Sequence, residues 1–255
     1  MSEGAGAIAA STDAAAASRT VLFDFDGVLI RGDSFAAFVR ARYRRAPWRL
    51  LFAVPLVVLA GPLALSGRGR WWIVRRLVEV SLLGVGEARY REHVRAFARE
   101  HAERPRSFLR EGIRALRRHL ADGDRVVVVT GCEQHLARDL FAAIGLEACA
   151  IEEAREPPEG MVRCPRADRF ELVASRLRPG WFGLRSAVHC FGVRKPRELA
   201  ARGVAPPWAV AYTDSPADAP MLREAADAVL VNGTPGACRA LERALGRSVR
   251  RVEWW

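Results

Sequence analysis

Thr20-Val21-Leu22-Phe23-Asp24-Phe25-Asp26-Gly27 is the stretch from which the fold of this chain is read. An apolar, β-type run that stops at two aspartates and a glycine reads as a buried strand with a loop at its carboxyl end. Two carboxylates this close repel each other unless a cation or a shared proton lies between them. Residues at i and i+2 of a strand point to the same face, which is expected to put both carboxylates on one side. A bare D-x-D is more often a pair of solvated loop carboxylates. The buried run before it and the glycine after it argue for a site.

Outward from this stretch the same pattern recurs. Arg125-Val126-Val127-Val128-Val129 ends in Thr130-Gly131, and a helix is expected to follow through Leu140 to Ile144, with Gly145 as its C-cap. Trp208-Ala209-Val210-Ala211-Tyr212-Thr213 ends at Asp214, and Ala228-Val229-Leu230-Val231 ends at Asn232. Strands alternating with helical stretches predict an α/β fold, a parallel sheet with helices on both faces. Ligands of such sheets bind beyond the carboxyl ends of the strands. Asp24 and Asp26, Thr130, and Asp214 all fall at that end. Asp33 or Ser34 is the expected N-cap of a helix near Phe35, and 35–104 reads as mostly helical and Arg-rich. The stretch 147–190 resists assignment.

Asp214 and Asp218 add two carboxylates to the first pair. A cluster of hard oxygens without His or thiolate suits Mg²⁺, while an Asx turn capping the next helix is an equal reading of that pair alone. Thr130-Gly131 could hold a phosphate oxygen through a hydroxyl and a backbone N–H at a helix start, or be an ordinary N-cap. Lys195 is the only lysine among 40 Lys and Arg residues. A compact ammonium kept where arginine is otherwise used suits a tight site that touches a carboxylate and a phosphate oxygen. A lysine left by chance on the surface is the plainer alternative. The chain has no G-x-x-x-x-G-K-[ST] loop, no G-x-S-x-G elbow and no H-E-x-x-H pair.

These residues resemble the haloacid dehalogenase-like (HAD) phosphohydrolase superfamily. The ordered set is D-F-D-G-V at 24–28, V-V-V-V-T-G at 126–131, Lys195, and D-S-P-A-D at 214–218. Asp33-Ser34-Phe35, His189-Cys190-Phe191-Gly192 and Ala211 to Ser215 look closest to the phosphoserine-phosphatase-like branch (subfamily IB), and within it to phosphatidylglycerophosphatase C-type proteins. The resemblance implies a Rossmann-like doubly wound parallel sheet with an inserted α-helical cap. Residues 1–18, rich in Ala, Ser and Gly, read as a flexible tail, and the resemblance places a catalytic core at 19–33 and 105–255 and a cap at 34–104. It also implies roles. Asp24 is the nucleophile that forms an aspartyl-phosphate, and Asp26 is the general acid and base. Thr130, Gly131 and Lys195 bind the phosphoryl group, with Mg²⁺ held by Asp24, the Asp26 carbonyl and Asp214, and Asp218 in support. Ala217 departs from the Asn common in soluble phosphoserine phosphatases, which points away from phosphoserine.

The implied function is hydrolysis of a phosphomonoester, either a lipid phosphate such as phosphatidylglycerophosphate or a small soluble substrate of the phosphoserine kind. A catalytically idle binding module is a third reading. Leu50–Gly67 carries no charge and is followed by Trp71-Trp72 among arginines. At the lower margin of the ~20 residues a span requires, with Pro55 and Pro62 inside it, the run reads as a monotopic cap on an anionic membrane surface, or as a buried hairpin. The expected location is cytoplasmic, at the inner face of the cell membrane.

Composition narrows the partners. The 255 residues are 50% hydrophobic, ample for a core. Five cysteines, an odd number with no C-x-x-C pair, predict neither a disulfide framework nor a zinc site. A net charge of +11 could draw anionic lipid, phosphorylated substrates or nucleic acid. No basic cluster interleaved with aromatics appears, so no nucleic-acid partner is expected. Residues 1–18 lack a basic start and an apolar run, and so do not read as a signal peptide.

Overall fold

The computed structural model describes residues 19–150 and 169–255. The expected tail at 1–18 and Cys164 lie outside them. Strands β1 (Thr20–Phe23), β2 (Arg125–Glu133), β3 (Glu147–Ala150), β4 (Arg169–Gly180), β6 (Trp208–Thr213), β7 (Ala225–Val231) and β8 (Arg250–Val252) form one sheet in the order β3-β4-β2-β1-β6-β7-β8. Every pairing along this path is parallel. β1 is central because it is buried on both faces. Val21 and Phe23 join one apolar cluster with Val126 and Val128, while Leu22 joins the other with Val127 and Val129. This is the continuous apolar patterning of a covered parallel sheet. The chain lays β2 on one side of β1 and β6 on the other, which opens a crevice beyond the carboxyl end of β1.

Between β1 and α5 (Arg110–Ala121) lie α1 (Ser34–Arg45), α2 (Leu50–Ala60), α3 (Gly67–Ser81) and α4 (Glu87–Ala102). Asp33 caps α1 by accepting from Ala36 N, and Ser66 caps α3 by accepting from Gly69 N. Short 3₁₀ turns, Pro47–Arg49 and Gly61–Leu65, bracket α2. Tyr43 donates to Leu77 O at 2.7 Å, and Arg49 donates to Leu83 O at 2.9 Å, so α3 and the segment after it are tied to α1 and to the start of α2. α4 packs back on the core. Its Tyr90, Val94 and Phe97 share a cluster with Phe23 and Phe25, and Tyr90 donates to the buried Glu133 at 2.6 Å.

Three local expectations change. β1 stops at Phe23, so Asp24 and Asp26 are loop residues and strand alternation does not align them. β2 runs on to Glu133, with a register shift between Thr130 and Glu133. Thr130-Gly131 is therefore not a helix start. Glu133 is the N-cap of α6 (Gln134–Ala142), accepting from His135 N and Leu136 N. The unassigned stretch holds a long hairpin: beyond the sheet, β4 pairs antiparallel with β5 (Gly183–Val188) around Trp181-Phe182. The hairpin docks on the segment after α3, where Gly84 N donates to Phe182 O at 2.8 Å. Gly183 has φ 137°, and a Cβ there would lie 2.3 Å from Leu82 O, so the close approach needs a glycine. The C-terminal Trp254 packs on Tyr212 at 5.3 Å, and Asn232 bonds its backbone N and O, while Trp255 beyond it is exposed.

Candidate active site

The carboxyl ends of β1 and β6 and the short helix α7 (Arg194–Ala200) bring five charged groups together. Asp24 N donates to Tyr212 O at 2.9 Å, which fixes the first loop residue to the neighbouring strand. Its Oδ1 accepts from Phe25 N at 2.7 Å and lies 2.9 Å from Lys195 Nζ. Lys195, 1% exposed, donates to Asp218 Oδ2 at 2.7 Å, and Thr213 Oγ1 donates to the same oxygen at 2.8 Å. A buried lysine is tolerated because two carboxylates pay its desolvation cost. The lysine is thus a built part of the site, and the surface-residue reading falls.

Asp26 Oδ1 accepts from Ser34 N at 2.8 Å, which couples the loop to the first turn of α1. Gly27 has φ 76°, and a Cβ there would fall 2.1 Å from Asp214 Oδ2. Asp214 therefore lies directly against the loop that carries Asp24 and Asp26. Thr130 is wholly buried, and its Oγ1 accepts from Cys132 N at 2.9 Å, which leaves its hydroxyl hydrogen for a further acceptor. Gly131 lines the cavity over the site.

The electrostatics show too little positive charge. Burial, with Asp218 and Asp214 adding to it, pushes Asp24 above the usual carboxylate range against the pull of Lys195. Burial likewise lifts Asp26 to about 7 and Asp214 to about 6. Burial alone would lower Lys195, but Asp24 and Asp218 hold it above its ordinary value. Four carboxylates share one ammonium, and the buried Asp218 Oδ1 has no hydrogen-bond partner. Among the described residues no three His, Cys, Asp or Glu side chains form a cage for an ion. The residues fit a cation that takes few protein ligands and keeps its waters, which is the habit of Mg²⁺.

Over this floor lies a cavity of about 630 Å³. Its roof is mostly apolar, with Phe35, Val39 and Tyr43 from α1 and Trp71, Val74 and Val78 from α3, and Arg40 of α1 also lines it. Trp71 stands 4.9 Å from His189 and 5.1 Å from Phe191, an aromatic contact between α3 and the segment after β5. His189 lines the cavity with a buried Nε2 that has no partner, and burial lowers its pKa. Trp71, Phe191 and Thr213 are not among the site residues expected from sequence, and Ser34, expected only as an alternative N-cap, instead holds Asp26 through its backbone N. Thr213 sits one residue before Asp214, a signal that was available. Trp71 and Phe191 carry no local mark of their roles.

The haloacid dehalogenase-like hydrolase family model matches residues 21–223. A protein of unknown function from Bordetella pertussis Tohama I is similar, with a TM-score of 0.62 and 22% identity over 91% of this chain and 98% of that one. A substrate-bound phosphoserine phosphatase is similar at TM-score 0.51 and 14% identity, covering 91% of this chain and 92% of that one. A phospho-aspartyl intermediate analogue of phosphoserine phosphatase is similar at TM-score 0.50 and 14% identity, covering 92% and 95%.

Proposed function

The chain belongs to the haloacid dehalogenase-like hydrolase family, and from that premise we propose that it hydrolyses phosphomonoesters through a covalent intermediate on Asp24. The observation that carries this reading is the buried Asp24–Lys195–Asp218 chain, with Lys195 Nζ 2.9 Å from Asp24 and 2.7 Å from Asp218. Asp24 Oδ1 takes both hydrogen bonds, which orients the carboxylate and leaves Oδ2 to attack phosphorus in line. Lys195 offsets charge on the nucleophile and on the phosphoryl oxygens. Thr130 and Gly131 take another phosphoryl oxygen. Asp26, held by Ser34 N, protonates the departing alcohol and then takes a proton from the hydrolytic water. The carboxylates of Asp24 and Asp214 and the main-chain carbonyl of Asp26 would hold Mg²⁺, which would supply positive charge between nucleophile and phosphate. Asp218 holds Lys195 in place. The phospho-aspartyl analogue in a similar fold supports the covalent route.

The substrate's body is read from the roof. The similarity to phosphoserine phosphatases favours a small soluble substrate. The aromatic and aliphatic lining from α1 and α3 favours an apolar body, of which a lipid phosphate such as phosphatidylglycerophosphate is one. Phosphate release from an aryl phosphate, phosphoserine and a dispersed lipid phosphate, with Mg²⁺ and with EDTA, tests both parts. Metal-dependent release lost in Asp24→Asn supports the chemistry. Faster turnover of phosphoserine than of the lipid would reject the apolar substrate, and turnover that survives in Asp24→Asn would reject the mechanism.

A further inference from the structure

The most unusual surface lies outside the cavity. Helix α2 buries only a narrow stripe: Ala53 and Ala60 are buried and Leu56 is half-buried, the i, i+3, i+7 spacing of one helix face. Its remaining faces are also apolar and exposed, with Leu51 at 74%, Val58 at 70% and Leu59 at 81%. A helix apolar all round belongs in an apolar surround. A second exposed apolar feature stands close by. At the tip of the β4–β5 hairpin, Trp181 is 96% exposed and Phe182 is also exposed. Both features hang from one short segment. Arg49, which leads into α2, donates to Leu83 O, and Gly84 N receives the hairpin through Phe182 O.

Charge identifies the occupant. Residues 34–78 contain nine arginines and no Asp or Glu. Arg44, Arg68, Arg70 and Arg75 are exposed and have no acidic partner among the described residues. Trp48 and Trp72 stand among them, half-exposed, with Arg76 over the Trp72 ring. Apolar side chains with interfacial tryptophans and uncompensated arginines match an anionic bilayer surface.

Length distinguishes lying on the bilayer from crossing it. The 19 residues Pro47–Leu65 are long and apolar enough for a span. Only 11 of them form continuous α-helix, which at 1.5 Å per residue is about 16 Å, roughly half a hydrocarbon core. Both ends turn back to the protein. Arg49 is bonded to Leu83 O, and the Gly61–Leu65 turn packs so tightly on α3 that a Cβ on Gly69 would lie 1.9 Å from Leu63 O.

We propose that α2 and the Trp181-Phe182 tip dock together on an anionic lipid bilayer, lying in its interface without crossing it. The phosphatase reading is not needed for this. The test is flotation of the full chain with vesicles of phosphatidylcholine alone and with equal parts phosphatidylcholine and phosphatidylglycerol, beside its size in lipid-free buffer. Three variants accompany it: Leu51→Ser/Val58→Ser/Leu59→Ser, Trp181→Ser/Phe182→Ser, and Arg68→Ala/Arg70→Ala. All substitute exposed side chains, and circular dichroism with thermal unfolding checks that each folds.

The expected result is flotation only with the anionic vesicles. Partition should fall at least ~10-fold in each apolar variant and about fivefold for each arginine removed. The wild type staying unbound, equal binding to both vesicles, or unchanged binding in the folded variants would each overturn the proposal. So would a lipid-free dimer that the α2 variant converts to monomer, since a second copy would then own the face. Asp24→Asn should float like the wild type, so loss of catalysis and loss of docking are read separately.

Discussion

Lys195 on the cavity floor is 1% exposed between two carboxylates, whereas Leu59, on the cap helix α2, is 81% exposed with no polar function at all. The floor concentrates charge where water is excluded, so each ionic contact there is strong and costly to disturb. The cap does the reverse. Its α1 and α3 turn a mostly apolar wall to the cavity, and its α2 turns an apolar face outward. The contrast separates two tasks. Bond breaking needs fixed charge at fixed distances, while choosing the substrate's body needs shape and apolar area.

The largest effect should come from breaking the floor. Asp24→Asn keeps the shape and removes the proposed nucleophile, and a loss of about 10⁴-fold in kcat is expected in phosphate-release assays, with the fold intact by circular dichroism. Lys195→Met leaves Asp24 and Asp218 buried without a counter-charge. It should destabilise the chain by about 3–5 kcal/mol in urea unfolding. Lys195→Arg should not restore activity, because a planar fork does not fit the space of an ammonium.

The seam between the two regions should respond less. Tyr90→Phe deletes the bond from α4 to Glu133 and should cost about 1.5–3 kcal/mol. Burial lifts Glu133 from 4.5 to about 7. Across that window the unfolded carboxyl binds fewer protons than the folded one, so this group's contribution to stability falls as pH rises. Glu133→Gln should flatten that part of a stability–pH profile. The smallest effect belongs to the roof. Trp71→Ala should raise KM for an apolar phosphate about tenfold, the scale of one pocket side chain, and leave kcat for a small aryl phosphate within about twofold. A change in kcat as large as the change in KM would erase the division drawn between floor and roof.

Much of the floor was legible from local pattern. Asp24, Asp26 and Asp214 each follow an apolar run, and a strand that ends in a carboxylate announces itself in consecutive residues. Lys195 was legible by a different route, as the one lysine in an arginine-rich chain, although nothing around it spells out a partner. The stretch 147–190 was not legible, because a hairpin that leaves its sheet and docks on a cap is held by contacts distant in sequence, such as Gly84 with Phe182. Thr130-Gly131 was misplaced for a related reason. The strand's continuation to Glu133 depends on pairing with β4, which no local signal reports.

The sequence by itself therefore determined the alternating core, the acidic strand ends and the apolar insert, because each is a matter of which residues stand next to each other. Only the tertiary structure decided that Lys195 reaches Asp24 and Asp218, that Tyr90 locks α4 to Glu133, and that α2 and Trp181 face outward. The physical reason is that burial and charge pairing belong to neighbours in space, and folding brings those neighbours from opposite ends of the chain.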